Sequence, residues 1–131
     1  MKMEDKLNGY TLKHYPFPTK RYCQTLELKD DSELIAEYRK AHSPACFWPE
    51  IGEGIKSVGI LGMDIFINGN RLFMIVETKV DFNWDEAFAR LATLPRQAEW
   101  EAFVGRFQVA ADGAKSDEKW HLMDQMFRLP E

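Results

Sequence analysis

The chain predicts an α+β fold: an antiparallel sheet with helices packed on one of its faces. Three observations carry this reading. Tyr22, Gln24, Leu26 and Leu28 alternate with Cys23, Thr25 and Glu27, the period of a half-buried strand. Asn68-Gly69-Asn70 separates two apolar stretches and is the clearest hairpin signal in the chain. Between these extended segments lie stretches whose apolar residues recur at helical spacing.

Taken in order, residues 1–19 read as a tail, because Gly9, Pro16 and Pro18 interrupt them and their apolar residues hold no period. Residues 20–131 read as a single domain. Arg21 to Leu28 forms the first strand. Asp30 and Glu33 fit a capping box that opens a helix with Leu34, Ile35 and Tyr38 as its buried stripe, ending near His42. Pro49 suits the first turn of a second helical segment through Ile51 and Ile55, which Gly52 and Gly54 weaken. Val58 to Ile67 reads as a strand, and Leu72 to Val76, an unbroken apolar run, as one buried on both faces. Asn83 or Asp81 caps a helix carrying Trp84, Ala87, Phe88 and Leu91. Pro95 opens another, with Trp100, Phe103, Val104 and Phe107 on one face. Asp112 to Asp117 reads as a loop. Trp120 to Leu129 fits either period; it is assigned to a final strand because a hairpin and one edge make a poor sheet. The order β-α-β-β-α-β is the ferredoxin-like split arrangement. Its second sheet face has no cover within one chain, which predicts a homodimer.

Composition narrows the function. With 131 residues, 45% of them hydrophobic, the chain has material for one ordinary core. A net charge of −4 with no basic run argues against nucleic acid. No apolar run is long enough to span a bilayer, and the charged start is not a secretory signal. Cys23 and Cys46 fit reduced thiols of a cytoplasmic protein, and no ligand spacing for zinc is present.

The densest chemistry lies between Tyr38 and Glu50. Tyr38 and His42 stand one helical turn apart and share a face. Ser43-Pro44 ends the helix there, and a helix C-terminus favours a cation, so His42 is expected to hold a usable proton near neutral pH. Trp48-Pro49-Glu50 follows, and a titratable donor beside an aromatic hydroxyl and tryptophan suits a sugar site. Taken singly, a histidine at a helix end most often caps it, and Tyr38, Trp48 and Trp100 are core residues by default.

Together, Tyr38, His42-Ser43-Pro44 and Trp48-Pro49-Glu50 resemble the L-rhamnose mutarotase family. Asn70-Arg71-Leu72-Phe73, Trp100 and Phe127-Arg128-Leu129-Pro130 extend the resemblance over about Arg21 to Pro130. It implies a dimeric ferredoxin-like α+β barrel and an isomerase that interconverts the anomers of a 6-deoxy-hexose monosaccharide, most readily L-rhamnose, without metal, nucleotide or other cofactor. It also implies His42 as proton donor, Tyr38 as a sugar contact and Trp100 as a pocket wall on which a pyranose stacks. Trp48 and Glu50 fall within the same matching element. Met63 stands where the family has a sugar-binding tyrosine, and Glu99 where it has a second tryptophan, which makes L-fucose a rival substrate.

Mutarotation requires a base for the anomeric hydroxyl and an acid for the ring oxygen, with the roles reversed on closing. His42 suits this exchange; Tyr38, Glu50 and a bound water are all open as its partner. Two other readings fit the same fold. A cofactor-independent monooxygenase would show oxygen-dependent turnover without anomer exchange. A non-catalytic sugar-binding module would bind the sugar and leave the exchange rate unchanged.

Overall fold

The computed structural model describes residues 3–110, 114 and 116–131. Its centre is a four-stranded antiparallel sheet in the order β2-β3-β1-β4, made of β1 (Thr19–Glu27), β2 (Ile60–Asn68), β3 (Arg71–Lys79) and β4 (His121–Leu122). The β2–β3 hairpin turns at Gly69, whose φ of +63° is a conformation that glycine adopts without a Cβ penalty. β1 then pairs with β3 along its whole length, from Thr19 opposite Lys79 to Glu27 opposite Arg71.

The alternation in β1 places Gln24 and Leu26 on the buried face, where they meet Leu72, Met74 and Val76 of β3. Helices α2 (Ser32–Ala41), α3 (Pro49–Ser57), α4 (Trp84–Leu91) and α5 (Gln97–Gly105) supply the other half of the core through Tyr38, Ile51, Phe88, Leu91, Trp100 and Val104. Asn83 caps α4 by accepting from the Glu86 N–H.

Several local expectations are corrected. The cap of α2 is Asp31, not Asp30: its extended backbone aims Oδ1 at the Glu33 and Leu34 N–H groups, both at 3.0 Å. Helix α5 does not start at Pro95. Arg96 intervenes in the left-handed region at φ 65°, and the helix begins at Gln97. Such a conformation is unfavourable for a side chain bearing a Cβ and persists only where neighbours hold it. Phe107 lies beyond the end of α5. Only Leu72, Met74 and Val76 of the unbroken β3 run are fully buried; Phe73 and Ile75 face the uncovered side and are half-buried.

The final strand is far shorter than Trp120–Leu129. Only His121 and Leu122 pair with β1, followed by one bond from the Met123 N–H to the Cys23 carbonyl. Part of the β1 side is taken by another segment: Leu28 bridges Gln108, and the Val109 N–H donates to the Glu27 carbonyl at 2.8 Å. Beyond Met123 the chain runs without a ladder partner, leaving Met126, Phe127 and Leu129 exposed.

The segment expected as a tail carries a short helix, α1 (Met3–Asn8). It then lies against β2: the Tyr10 ring meets Phe66 edge-on at 5.4 Å, and the Tyr15 hydroxyl donates to the Leu61 carbonyl. The expected Asp112–Asp117 loop falls largely outside the described residues; Ser116–Lys119 forms one short turn of helix, α6.

Candidate functional site

Helix α2 sets the site. Asp31 fixes its first turn, and its buried stripe ends in Tyr38 and His42 with ring centroids 4.4 Å apart. The helix stops as His42 leaves helical geometry, and Ser43 Oγ donates to the Lys40 carbonyl at 2.7 Å. His42 Nδ1 lies 2.8 Å from the Tyr38 carbonyl oxygen. A carbonyl only accepts, so Nδ1 carries the proton and Nε2 presents its lone pair in the neutral ring.

Around the imidazole stand Tyr38, Phe47 and Trp100, the last edge-on at 5.2 Å. Burial among these rings pushes the His42 pKa below its ordinary value of 6.5, against the upward pull of the Tyr38 carbonyl. The expectation of a proton held by the helix terminus is therefore reversed: burial outweighs the pull of the Tyr38 carbonyl, and the ring is neutral at neutral pH.

Stability carries the same sign. The unfolded chain takes up a proton on His42 at the ordinary value while the folded chain resists it until lower pH. The stabilisation is complete above 6.5 and is lost as pH falls through the folded value. Urea midpoints measured from neutral to mildly acid pH should fall more steeply for the unmodified protein than for His42→Ala. Parallel slopes would mean that the ring is not desolvated.

Tyr38 is the second polar group. Gln108 Nε2 donates to its hydroxyl oxygen at 3.3 Å, leaving the hydroxyl proton available to another acceptor. Burial pushes the Tyr38 pKa up to about 12, with the Gln108 bond working against it, so the phenol is a donor at any working pH.

His42, Tyr38, Trp100 and Met63 all line one cavity of about 980 Å³ between the sheet and the helices. Met63 reaches it from the inner face of β2, opposite Val76. Trp48 and Glu50 do not line it. Trp48 packs behind Trp100 at 5.1 Å and carries the Arg96 guanidinium on its ring face at 4.2 Å. Glu50 accepts from Arg96 at 3.2 Å, and its own backbone N–H, then Arg96, hold its carboxyl below the usual range. These two residues thus brace the left-handed Arg96 that starts α5, and so place Trp100. Glu50 is removed as a partner for His42.

Glu99 points outward, 66% exposed beside Arg96, so it is not a pocket residue. The acidic residue of α5 that lines the cavity is Glu101. Its carboxylate accepts from Gln97 at 3.3 Å and lies 3.7 Å from Lys119 Nζ, which also donates to the Glu101 carbonyl at 2.8 Å. Gln97, Glu101, Gln108 and Lys119 all border the cavity and none was singled out from the sequence. The i,i+4 spacing of Gln97 and Glu101 was readable; the approach of Gln108 and Lys119 was not. The site therefore joins a neutral base, a phenolic donor and polar amides to an indole wall.

Among the described residues, no cluster of three or more His, Cys, Asp or Glu side chains is placed to hold a metal ion. No helix of the described residues is long and apolar enough to cross a membrane.

A sequence model of a family described as L-rhamnose mutarotase matches residues 21–129. An L-fucose mutarotase of Xanthomonas campestris pv. campestris is 39% identical over 111 residues, spanning 85% of this chain and 89% of that protein. A Dictyostelium discoideum protein whose name states no activity is 36% identical over 114 residues, spanning 84% and 90%. Among solved structures, an L-rhamnose mutarotase from Formosa agariphila superposes with a TM-score of 0.62 at 18% identity, over 85% of this chain and 99% of that one. Tetracenomycin F2 cyclase from Streptomyces glaucescens gives a TM-score of 0.52 at 16% identity over the same shares. At such identities the two structures speak for the ferredoxin-like fold alone, a fold that hosts unrelated chemistries.

Proposed function

This chain belongs to the L-rhamnose mutarotase family, and on that premise we propose that it interconverts the α and β anomers of a 6-deoxy-hexose with His42 as its proton-transfer group. One observation carries the assignment: Nδ1 of His42 is held by the Tyr38 carbonyl, so a neutral ring that lines the cavity offers Nε2 beside a phenolic donor and the Trp100 indole.

The chemistry follows from these atoms. Nε2 takes the proton from the anomeric hydroxyl as the bond from C1 to the ring oxygen breaks. The Tyr38 hydroxyl donates a hydrogen bond to that oxygen while its negative charge grows. Both oxygens are carried on C1 in the closed ring, so as the bond breaks the same imidazolium lies within reach of the departing ring oxygen and delivers the proton there. The open aldehyde turns about the C1–C2 bond, and the reverse transfers close the ring on the other face with no net change in protons. Trp100 offers an apolar wall to the C–H face of the pyranose. Trp48 and Glu50 act at one remove, through Arg96 and Trp100.

Because the base form of His42 is the starting state, the rate constant kcat/KM should be flat above 6.5 and fall in acid with a midpoint below that value. A midpoint at or above 6.5 would contradict the desolvation of the imidazole. Saturation-transfer NMR on L-rhamnose and L-fucose measures anomer exchange directly and tests the function. Binding without faster exchange would leave a sugar-binding module, and oxygen-dependent turnover in its place would favour a monooxygenase.

Both sugars are candidates, and two points favour L-fucose: the 39% identical relative named for that sugar, and Met63 lining the cavity where the family has a sugar-binding tyrosine. Losing a hydrogen bond to a buried sugar hydroxyl costs about 1–3 kcal/mol, a tenfold to hundredfold effect. Met63→Tyr should shift the ratio of exchange rates toward L-rhamnose by about that factor. An unchanged ratio in an active, folded variant would show that position 63 does not set the preference.

The active form is a homodimer in this reading, and residues 20–131 act as one domain. The support is the apolar surface a single chain leaves open: Met126, Phe127 and Leu129 after β4, and the half-buried Phe73 and Ile75 on the sheet face away from the helices. Sedimentation at micromolar concentration should give a dimer, and a stable monomer would refute it. The free thiols of Cys23 and Cys46 support a cytoplasmic, reducing location.

A further inference from the structure

We propose that Gln108 reads the substrate: its Nε2 holds the Tyr38 hydroxyl while its Oε1 accepts a hydrogen bond from a ring hydroxyl of the sugar. The inference rests on the mutarotase reading of the same cavity and adds a specificity residue to it.

Gln108 is 3% exposed and borders the cavity. Its amide has one partner, the Tyr38 hydroxyl, and its Oε1 is buried with no hydrogen-bond partner among the described residues. Folded chains rarely leave a buried acceptor unpaired, because the group gives up its bond to water without replacement. The other orphaned side-chain oxygen among the described residues belongs to Gln24, whose Nε2 donates to Met74 Sδ and which does not line the cavity. Gln108 is therefore the cavity-lining residue, among those described, that keeps a spare buried acceptor.

The position is rigid. The Phe107 carbonyl accepts from the Lys29 N–H at 2.9 Å, the Val109 N–H donates to the Glu27 carbonyl at 2.8 Å, and Gln108 itself bridges Leu28. With the backbone fixed on both sides and the amide nitrogen tied to Tyr38, the side chain is held beside the groups assigned to the anomeric end. A sugar hydroxyl donates readily and supplies the partner that Oε1 lacks.

The arrangement also accounts for the choice of amide over carboxylate. A glutamate here would accept the Tyr38 proton, whereas the glutamine donates to the phenol and keeps that proton free for the sugar.

The test uses the full chain, Gln108→Met and Gln108→Glu. The ligands are L-fucose, L-rhamnose and analogues of each lacking the hydroxyl at C2, C3 or C4. Calorimetry gives Kd and saturation-transfer NMR gives the exchange rate on the same samples. Gln108→Met should weaken binding of the preferred sugar about tenfold to hundredfold. One deoxy analogue should bind that variant and the unmodified protein equally, because the hydroxyl that Oε1 reads is already gone. The thermal midpoint of Gln108→Met should be unchanged or higher, since the substitution removes an orphaned acceptor; a purely structural residue would lower it. Gln108→Glu keeps an acceptor for the sugar but captures the Tyr38 proton, so it should lose exchange more than binding and still discriminate against the same deoxy analogue, which preserves the test if the methionine variant does not fold. The proposal is overturned if Gln108→Met binds the sugars as the unmodified protein does. Equal losses for the parent sugar and all three analogues would also overturn it. Tight binding with no exchange in the unmodified protein would sink the mutarotase reading instead, while the Kd comparison still decides the role of Gln108. No binding of any of these sugars would sink both.

Discussion

His42→Ala is expected to slow catalysed anomer exchange by about 10²- to 10⁴-fold, the usual contribution of a positioned acid–base group, while the chain still folds. The separation of the two effects follows from the geometry. The end of α2 is closed by the backbone N–H of His42, which donates to the Arg39 and Lys40 carbonyls, and by Ser43 Oγ on Lys40. Alanine keeps the first of these and does not touch the second. What it removes is the Nε2 lone pair and the ring between Tyr38 and Trp100. Circular dichroism should show unchanged helix content, and saturation-transfer NMR should show exchange near the uncatalysed rate. Near-normal exchange in a folded variant would reduce His42 to a cap.

Trp100→Ala should produce the largest loss of stability, about 3–5 kcal/mol, the range for truncating a buried aromatic residue to alanine. The indole is 7% exposed, and its ring meets His42, Phe47, Trp48 and Phe103 with centroids between 5.1 and 5.8 Å. Removing it opens a void at the point where α5, the loop after α2 and the start of α3 converge. The surroundings cannot close over that void without moving Phe47, and Phe47 also packs on the imidazole at 6.4 Å. Exchange should therefore fall together with stability. Urea unfolding measures the first effect, and a midpoint close to that of the unmodified protein would show that the indole is not a core element. Trp100→Phe separates the two: it keeps an aromatic filler and most of the stability, and it loses indole surface against the sugar, so its KM should rise.

The brace behind Trp100 links these effects to the Trp48-Pro49-Glu50 element. In sequence that element looks like part of the pocket. In space it grips Arg96, through a cation–π contact and an ion pair, and so fixes where α5 begins. The ion pair itself is exposed and weak; the ring contact and the packing of Trp48 on Trp100 and Phe103 are the stronger ties. Its role in the site is to position, and its residues touch no part of the cavity.

What the sequence determined was whatever a short window can encode. Period-two alternation fixed the face of β1, Asn68-Gly69-Asn70 fixed the hairpin, and the four-residue step from Tyr38 to His42 fixed two groups of the site on one side of a helix. These are consequences of backbone geometry, so neighbouring residues suffice to predict them. Tertiary structure decided the rest, because the deciding partner is distant along the chain. The charge of His42 depends on Phe47 and Trp100 closing around it, and burial there lowers its pKa where the local sequence shows only a helix terminus. The final strand stops after Leu122: the Met123 N–H still reaches the Cys23 carbonyl, and beyond it the chain leaves β1, whose Thr19–Tyr22 stretch pairs with β3 alone among the described residues. Gln108 reaches Tyr38 across 70 positions, and Lys119 reaches Glu101 across 18. No periodicity registers such meetings; they exist only once the sheet and helices have packed, when burial makes each unpaired polar atom costly enough to fix its partner.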